Sequence, residues 1–377
     1  MTAATITAPI ARRDPRLKWL VVGAVLVVIG ILAMLLDVPY LGSFVDWLVN
    51  VVPRIAYLFV RYAVPIAFGA LCGIMCERSG VVNIGIEGMI LTSAFCAFLT
   101  GAYLGPVLGP IPAASAGIAI AIVVSMLLST LHAWLSITVK ADQIISGTVI
   151  NILALGGTAF FNQLLVSTTG LSGTNQLPKF DVPSEIATIP IIGPIINALF
   201  EQGPIAMSLI FFVVGLQILL FRSRWGLRTR AVGEHPKAAD TVGIDVYRTR
   251  YRSVILGGVF AGLAGAYLTL ELSNAFQDNM TGGVGFIALA AVIFGRWTPV
   301  GAYFAALLFG AVQSMQLALR IPSNAPSGEL GQLLAQVPPQ VFGMLPYIFT
   351  IIVLAGVVGR AIPPAADGVP YDKEARG

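Results

Sequence analysis

Four side chains in the stretch 144–166 are spaced to do chemistry together: Thr148, Asn151, Thr158 and Asn162. Offsets of 0, 3, 10 and 14 residues put them on one face of a helix. Hydroxyls and carboxamides are neutral donors and acceptors, suited to passing a polar solute rather than to breaking a bond. In lipid an unpaired polar group is costly, so this face must look toward other helices or a water-filled path. Two readings stay open: a path lining, or hydrogen bonds between helices worth roughly 0.6 kcal/mol each. Glu87, about one turn into an apolar segment, and Glu271, near the end of another with Asn274 just beyond, raise the same question. Either acid could also cap a helix or pair with Arg296 or Arg61. With Asn83, from the glycine-rich opening before Glu87, the candidate translocation path comprises Asn83, Glu87, Thr148, Asn151, Thr158 and Asn162.

Bond-making groups are scarce. No Gly-x-x-x-x-Gly-Lys-Ser/Thr phosphate loop occurs, so the chain cannot bind ATP by that route. Two histidines and no paired buried carboxylates argue against hydrolytic or metal chemistry, and no cofactor is expected. Cys72, Cys76 and Cys96 are odd in number, lie in apolar segments and have no metal-ligand spacing, which predicts buried free thiols.

The elements that hold these residues follow from composition. Charged residues make up 11% of the chain, against roughly 25% in a soluble domain. Hydrophobic residues reach 57% and mean hydropathy is +0.87. A bilayer solvates such a chain directly, and a soluble enzyme is excluded. Forty glycines suit close helix packing in a membrane. The expected fold is all-α, a polytopic bundle of about ten transmembrane helices: 19–36, 56–75, 84–104, 107–135, 144–166, 204–221, 254–272, 284–294, 301–319 and 341–358.

The first segment follows Arg12, Arg13, Arg16 and Lys18 but is longer than a signal-peptide core and lacks a cleavage pattern. It reads as a retained helix. The eighth is too short to span and either begins earlier or is broken. The third is glycine-rich at its start and could be irregular. With the N-terminus cytoplasmic, 18 of the 22 Lys and Arg fall on that side; Arg54, Arg61, Lys179 and Arg320 do not. Both termini are therefore expected in the cytoplasm. Tails 1–18 and 360–377 flank one transmembrane domain, 19–359, with an external loop at 167–203 and a cytoplasmic loop at 222–252 carrying eight basic residues. The pI near 9.0 then reflects this asymmetry rather than nucleic-acid binding. Glycine-rich openings at 79–85 and 281–286 echo one another, as in transporters built from two repeated halves; chance competes in so glycine-rich a chain.

The loop contains Arg230-Ala-Val-Gly-Glu-His-Pro-Lys-Ala-Ala-Asp-Thr-Val-Gly-Ile244. Pro236 suits a first helical turn, Ala238, Ala239 and Val242 offer a small apolar face, and Gly243 suits a helix end. Such a helix could dock a cytoplasmic partner or lie on anionic lipid, and the spacing does not decide.

This stretch resembles the cytoplasmic coupling segment of ABC importer permeases of the branched-chain amino-acid, ribose and nucleoside group. Glu77-Arg-Ser-Gly-Val-Val-Asn-Ile-Gly-Ile-Glu-Gly-Met89, Asp142-Gln-Ile-Ile-Ser-Gly-Thr-Val-Ile-Asn151 and Gly285-Phe-Ile-Ala-Leu-Ala-Ala-Val-Ile-Phe-Gly-Arg-Trp-Thr-Pro299 carry the same resemblance. It covers about 55–359 and looks like the nucleoside-type branch, in which two related permeases pair. His235 stands where the family usually has Asn. The resemblance implies an ATPase-coupling role for Gly233, Glu234, Pro236, Ala238, Ala239 and Gly243. It also implies a plasma-membrane location and three partners: a second homologous permease, a cytoplasmic ATP-binding subunit and an external substrate-binding lipoprotein. This chain would supply the path and leave ATP hydrolysis to its partner. A simple-sugar permease is the alternative. An ion-coupled secondary transporter is less well supported, because it calls for several intramembrane acids and only Glu87 is clear.

Overall fold

The computed structural model describes residues 52–166, 177–183, 192–321, 328–356 and 361–373, with 43–44, 46–47, 173–174, 185, 189 and 326. The expected first helix, 19–36, lies outside them. Among the described residues all regular structure is helical. In order these are α1 (Val52–Glu77), α2 (Ile86–Leu108), α3 (Pro110–Ala133), α4 (Gln143–Phe161), α5 (Ile192–Phe200), α6 (Pro204–Arg222) and α7 (Arg224–Glu234). There follow α8 (Pro236–Thr241), α9 (Val246–Tyr267), α10 (Val284–Phe294), α11 (Pro299–Arg320), α12 (Gly328–Ala335), α13 (Pro339–Gly343) and α14 (Leu345–Gly356). Wider π-helical turns extend α3 to Thr138, α4 to Val166 and α9 to Leu272.

Local chemistry sets the helix starts. Proline occupies the first turn of α3, α6, α8 and α11, where its missing N–H is no loss. The Asp142 carboxylate accepts from the N–H of Ile144 and Ile145 at 2.8 and 3.1 Å, and Asp245 and Thr298 cap α9 and α11 in the same way.

Seven described helices are long and apolar enough to cross a membrane: α1, α2, α3, α4, α6, α9 and α11. The expected eighth segment is broken rather than longer. Its 11 residues rise about 16 Å, roughly half of a 30 Å hydrocarbon core. Turns precede it, with positive φ at Asn274, Asn279, Gly282 and Gly283, so the chain enters α10 from a non-helical segment. The third segment is irregular at its start: residues 81–85 are non-helical and α2 begins only at Ile86. Of the expected tenth segment, the described part consists of the two short helices α13 and α14.

The bundle centre is α9 and α1, whose most apolar windows are 83% and 72% buried; those of α3 and α4 are only 28% buried and lie at the periphery. α1 packs on α11, α9 and α10, while α2 packs on α3, α4 and α9. Close approach needs glycine on α9: a Cβ on Gly262 would sit 2.6 Å from Ile122 Cα, and one on Gly265 2.5 Å from Ile90 O. Cys72 and Cys76 are buried free thiols, and Cys96 is free and partly buried.

The connections expected on the cytoplasmic side meet at one end of the bundle. Lys140 pairs with Asp372 at 3.1 Å, Arg78 Nε donates to Trp297 O at 2.8 Å, and Arg250 donates to Ser79 O and Val369 O. At the opposite end, Thr174 N donates to Asn274 O and Phe180 N to Gln202 O.

Candidate functional site

A cavity of about 480 Å³ opens where α2, α4, α10 and α14 converge. Glu87, Thr148, Asn151, Asn279, Phe286 and Tyr347 are among its lining residues. The Glu87 carboxylate bridges two elements distant in sequence, accepting from Gly283 N at 2.8 Å through Oε1 and from Gly285 N at 2.5 Å through Oε2. It thus satisfies two of the free N–H groups at the start of α10 and lies at the positive end of that helix dipole. The glycine-rich opening at 281–286 therefore meets the first turn of α2, while Gly85 in the other opening lies against Gly147 of α4.

Asn151 performs a similar stitch between α4 and α2. Its Oδ1 accepts from Gly88 N at 2.8 Å and its Nδ2 donates to Ile84 O at 3.0 Å, the latter on the non-helical lead into α2. Thr148, also a lining residue, donates to Ile144 O at 2.8 Å. Among the described residues no Lys, Arg or His lines the cavity, while Phe286 and Tyr347 are each at least half exposed. The wall can therefore offer neutral hydrogen bonds and aromatic faces, but no cationic side chain.

The other expected path residues lie elsewhere. Thr158 is buried and donates to Ala154 O within its own helix. Asn162 Nδ2 donates to Asp278 Oδ1 at 2.9 Å, near the opposite end. Asn83 is fully buried and not among the lining residues, its Nδ2 nearest the sulfurs of Met89, Cys76 and Cys72 and its Oδ1 without a hydrogen-bond partner among the described residues. The stripe on α4 thus divides: its first half faces the cavity and its second half is packed or bonded.

Asn151→Leu removes both bonds and leaves Gly88 N and Ile84 O without their side-chain partner. We expect a stability loss of about 2 kcal/mol, the sum of two modest bonds and some desolvation. A purified variant that melts like the parent would show that the stitch contributes nothing.

Sequence reasoning missed Asn279, Phe286 and Tyr347, although the glycine run before α10 signalled the turn that brings Asn279 inward. Glu271 proves to be a cap as well, accepting from Ile205 N at 2.6 Å and Ala206 N at 3.2 Å at the start of α6. Arg61 donates to the backbone oxygens of Glu271 and Leu272. A further buried acid, Glu77, accepts from the Trp297 indole N–H.

At the other candidate site, α7 and α8 are separated by His235, whose non-helical backbone ends one helix and starts the next. Ala239 is not on an outward face. It is 4% exposed and packs with Val232, Val246 and Tyr371, because the C-terminal segment 361–373 folds back over it. Gly233 O accepts from Ala366 N at 2.9 Å, and Glu234 Oε2 from Ala365 N at 3.1 Å. The Tyr247 hydroxyl donates to Tyr371 O at 3.2 Å, and Lys373 pairs with Asp240 at 3.3 Å. Burial pushes the Asp367 carboxyl in this segment up to about 7, against the pull of the Arg250 guanidinium and the Gly368 N–H. The face left open carries Glu234, Ala238, Gly243 and the 74% exposed Val242; Pro236 is half-buried at its edge.

The family model for the branched-chain amino acid transport system permease component matches residues 55–354. The guanosine ABC transporter permease protein NupQ of Bacillus subtilis is 40% identical over 320 residues, covering 84% of this chain and 95% of its own. The nucleoside ABC transporter permease protein NupC of Lactococcus lactis subsp. cremoris is 37% identical over 327 residues, 86% of this chain and 98% of its own. A second guanosine permease of Bacillus subtilis, NupP, is 26% identical over 273 residues, 71% of this chain and 75% of its own. No solved structure matches.

Proposed function

The chain belongs to the family of branched-chain amino acid transport system permease components, and we propose on that footing that it is the membrane-spanning subunit of an ATP-driven nucleoside importer. The observation that carries the substrate is a cavity wall of hydroxyl, carboxamide and aromatic groups, in which the Glu87 carboxylate is already engaged by Gly283 N and Gly285 N. An amino-acid carboxylate would call for a cation or a free helix N-terminus, and Glu87 already occupies the N-terminus of α10. A nucleoside is neutral, presents a flat base to aromatic faces, and has hydroxyls for Asn279 and Thr148. The names of NupQ and NupC agree with that chemistry; a plain sugar uses the aromatic faces less well.

Glu87, Thr148 and Asn151 form this chain's share of the translocation path. Asn83, Thr158 and Asn162 do not line the cavity and act through packing and hydrogen bonds around it. The protein crosses the plasma membrane about ten times with both termini and the loop 222–252 in the cytoplasm, a reading supported by the basic connections gathered at one end. Tails 1–18 and 360–377 flank the transmembrane domain 19–359. ATP hydrolysis resides in a separate cytoplasmic subunit that docks on the α7–α8 segment, at Glu234, Pro236, Ala238 and Gly243, while the buried Gly233 seats that segment against Arg78. Ala239 supports that face from beneath. An external binding lipoprotein delivers the solute, and the partner permease is a homologue, as the resemblance of both NupQ and NupP to this chain supports.

Uptake of labelled purine nucleosides, pyrimidine nucleosides, ribose and leucine, in cells with and without this chain, tests the reading. Nucleoside uptake should depend on the protein. Dependence of leucine or ribose uptake instead would overturn it.

A further inference from the structure

A chain of contacts joins the α7–α8 segment to the cavity. It begins where Gly233 presses on the end of α1: a Cβ at Gly233 would stand 2.3 Å from Arg78 O. Arg78 then reaches the turn after α10, donating from Nε to Trp297 O at 2.8 Å and from Nη2 to Arg296 O at 3.3 Å. Its guanidinium also lies 5.4 Å over the Phe221 ring at the end of α6. The neighbouring Glu77 carboxylate accepts from the Trp297 indole N–H, and both side chains are at least 93% buried. Arg296 and Trp297 are consecutive non-glycine residues at φ +52° and +54°, a conformation that persists only where its surroundings hold it. From this turn, α10 runs as one short rod to Gly283 and Gly285, whose N–H groups hold Glu87 at the cavity.

We propose that Trp297 and Glu77, seated by Arg78, are positioning residues that lock α10 to the coupling end, so that displacement of α7–α8 moves α10 and reshapes the cavity wall at Glu87. The inference rests on the reading of α7–α8 as the ATPase dock and adds the route by which its movement reaches the solute. The route is short because α10 is a half-helix. A full span at this position would end at the far membrane face; an 11-residue rod ends beside the solute.

The test uses the full complex, with its ATPase, partner permease and binding protein, in vesicles. Trp297→Phe keeps an aromatic ring of smaller size and loses the N–H, Glu77→Ala loses the acceptor, and Glu77→Gln keeps an acceptor without the charge. Trp297→Phe and Glu77→Ala should each raise ATP consumed per nucleoside moved by roughly tenfold, with binding-protein stimulation of the ATPase retained. The double variant should be no worse than either single one, and Glu77→Gln should stay near the parent. Should Trp297→Phe fail to assemble, Arg78→Lys, which loses the paired donors to the turn, should shift the ratio the same way. Uptake and hydrolysis falling in proportion, or an unchanged ratio, would overturn the proposal. If the parent complex hydrolyses ATP but moves no nucleoside, the substrate reading fails instead. The junction is then read from maleimide labelling of Asn279→Cys at the cavity: ATP should change its rate in the parent background and leave it unchanged with Trp297→Phe. A rate that ATP still changes in the variant would count against the junction.

Discussion

Glu87→Ala should reduce nucleoside uptake at least tenfold and lower the melting temperature of the purified complex. The carboxylate supplies both acceptors for Gly283 N and Gly285 N and the anion at the start of α10. Its removal leaves two donors unpaired, one of them buried, at about 1–3 kcal/mol each, and a helix terminus uncompensated by about 0.5 kcal/mol more. Glu87→Gln should fall between, because its amide oxygen can serve one N–H while its NH₂ opposes the other. Uptake should follow the same order as stability, since the turn that carries Asn279 into the cavity depends on the same cap. An alanine variant with parental melting and impaired uptake would assign Glu87 to direct solute contact instead. Parental behaviour in both would remove it from the site.

The second large effect is expected from Ala239→Asp, for a reason that differs from the sequence expectation. A small apolar face on α8 suggests a contact surface, on which a new charge would block a partner. In the structure that side chain is beneath α8, against Val232, Val246 and Tyr371. A carboxylate there must be desolvated without a partner or must expel the covering segment 361–373, a cost of several kcal/mol. Release of that segment, seen as faster proteolysis of the C-terminus, and loss of ATPase co-purification should therefore appear together. Val242→Asp, on the 74% exposed side, should block ATPase binding while the C-terminal segment stays protected. If Ala239→Asp leaves the C-terminus protected and Val242→Asp leaves docking intact, the exposed face of α8 is not the dock.

What could be read without the structure follows from the locality of helix physics. A membrane helix satisfies its own backbone, so its length, its polar stripe and its glycine breaks are written in consecutive residues. Hence the apolar segments, the short eighth helix and the irregular start of the third were legible. Thr148 and Asn151 were legible as well, because a stripe of period 3.6 identifies a face.

The sequence by itself determined a helical membrane protein, the apolar segments behind the seven described membrane-length helices, and a resemblance to one permease family over about 55–359. Only the tertiary structure decided what the side chains on those segments do. Glu87 finds its donors 196 and 198 residues away. Asn151 bonds across 63 and 67 residues. Asn83 turns out to be packed among sulfurs, and Ala239 faces inward because a segment some 130 residues later covers it. Side-chain pairing between helices depends on tilt, rotation and depth, which arise from the packing of many helices at once. No local period encodes these quantities, so the caps at α10 and α6, and the Glu77–Trp297 bond, could be found only once the bundle was assembled.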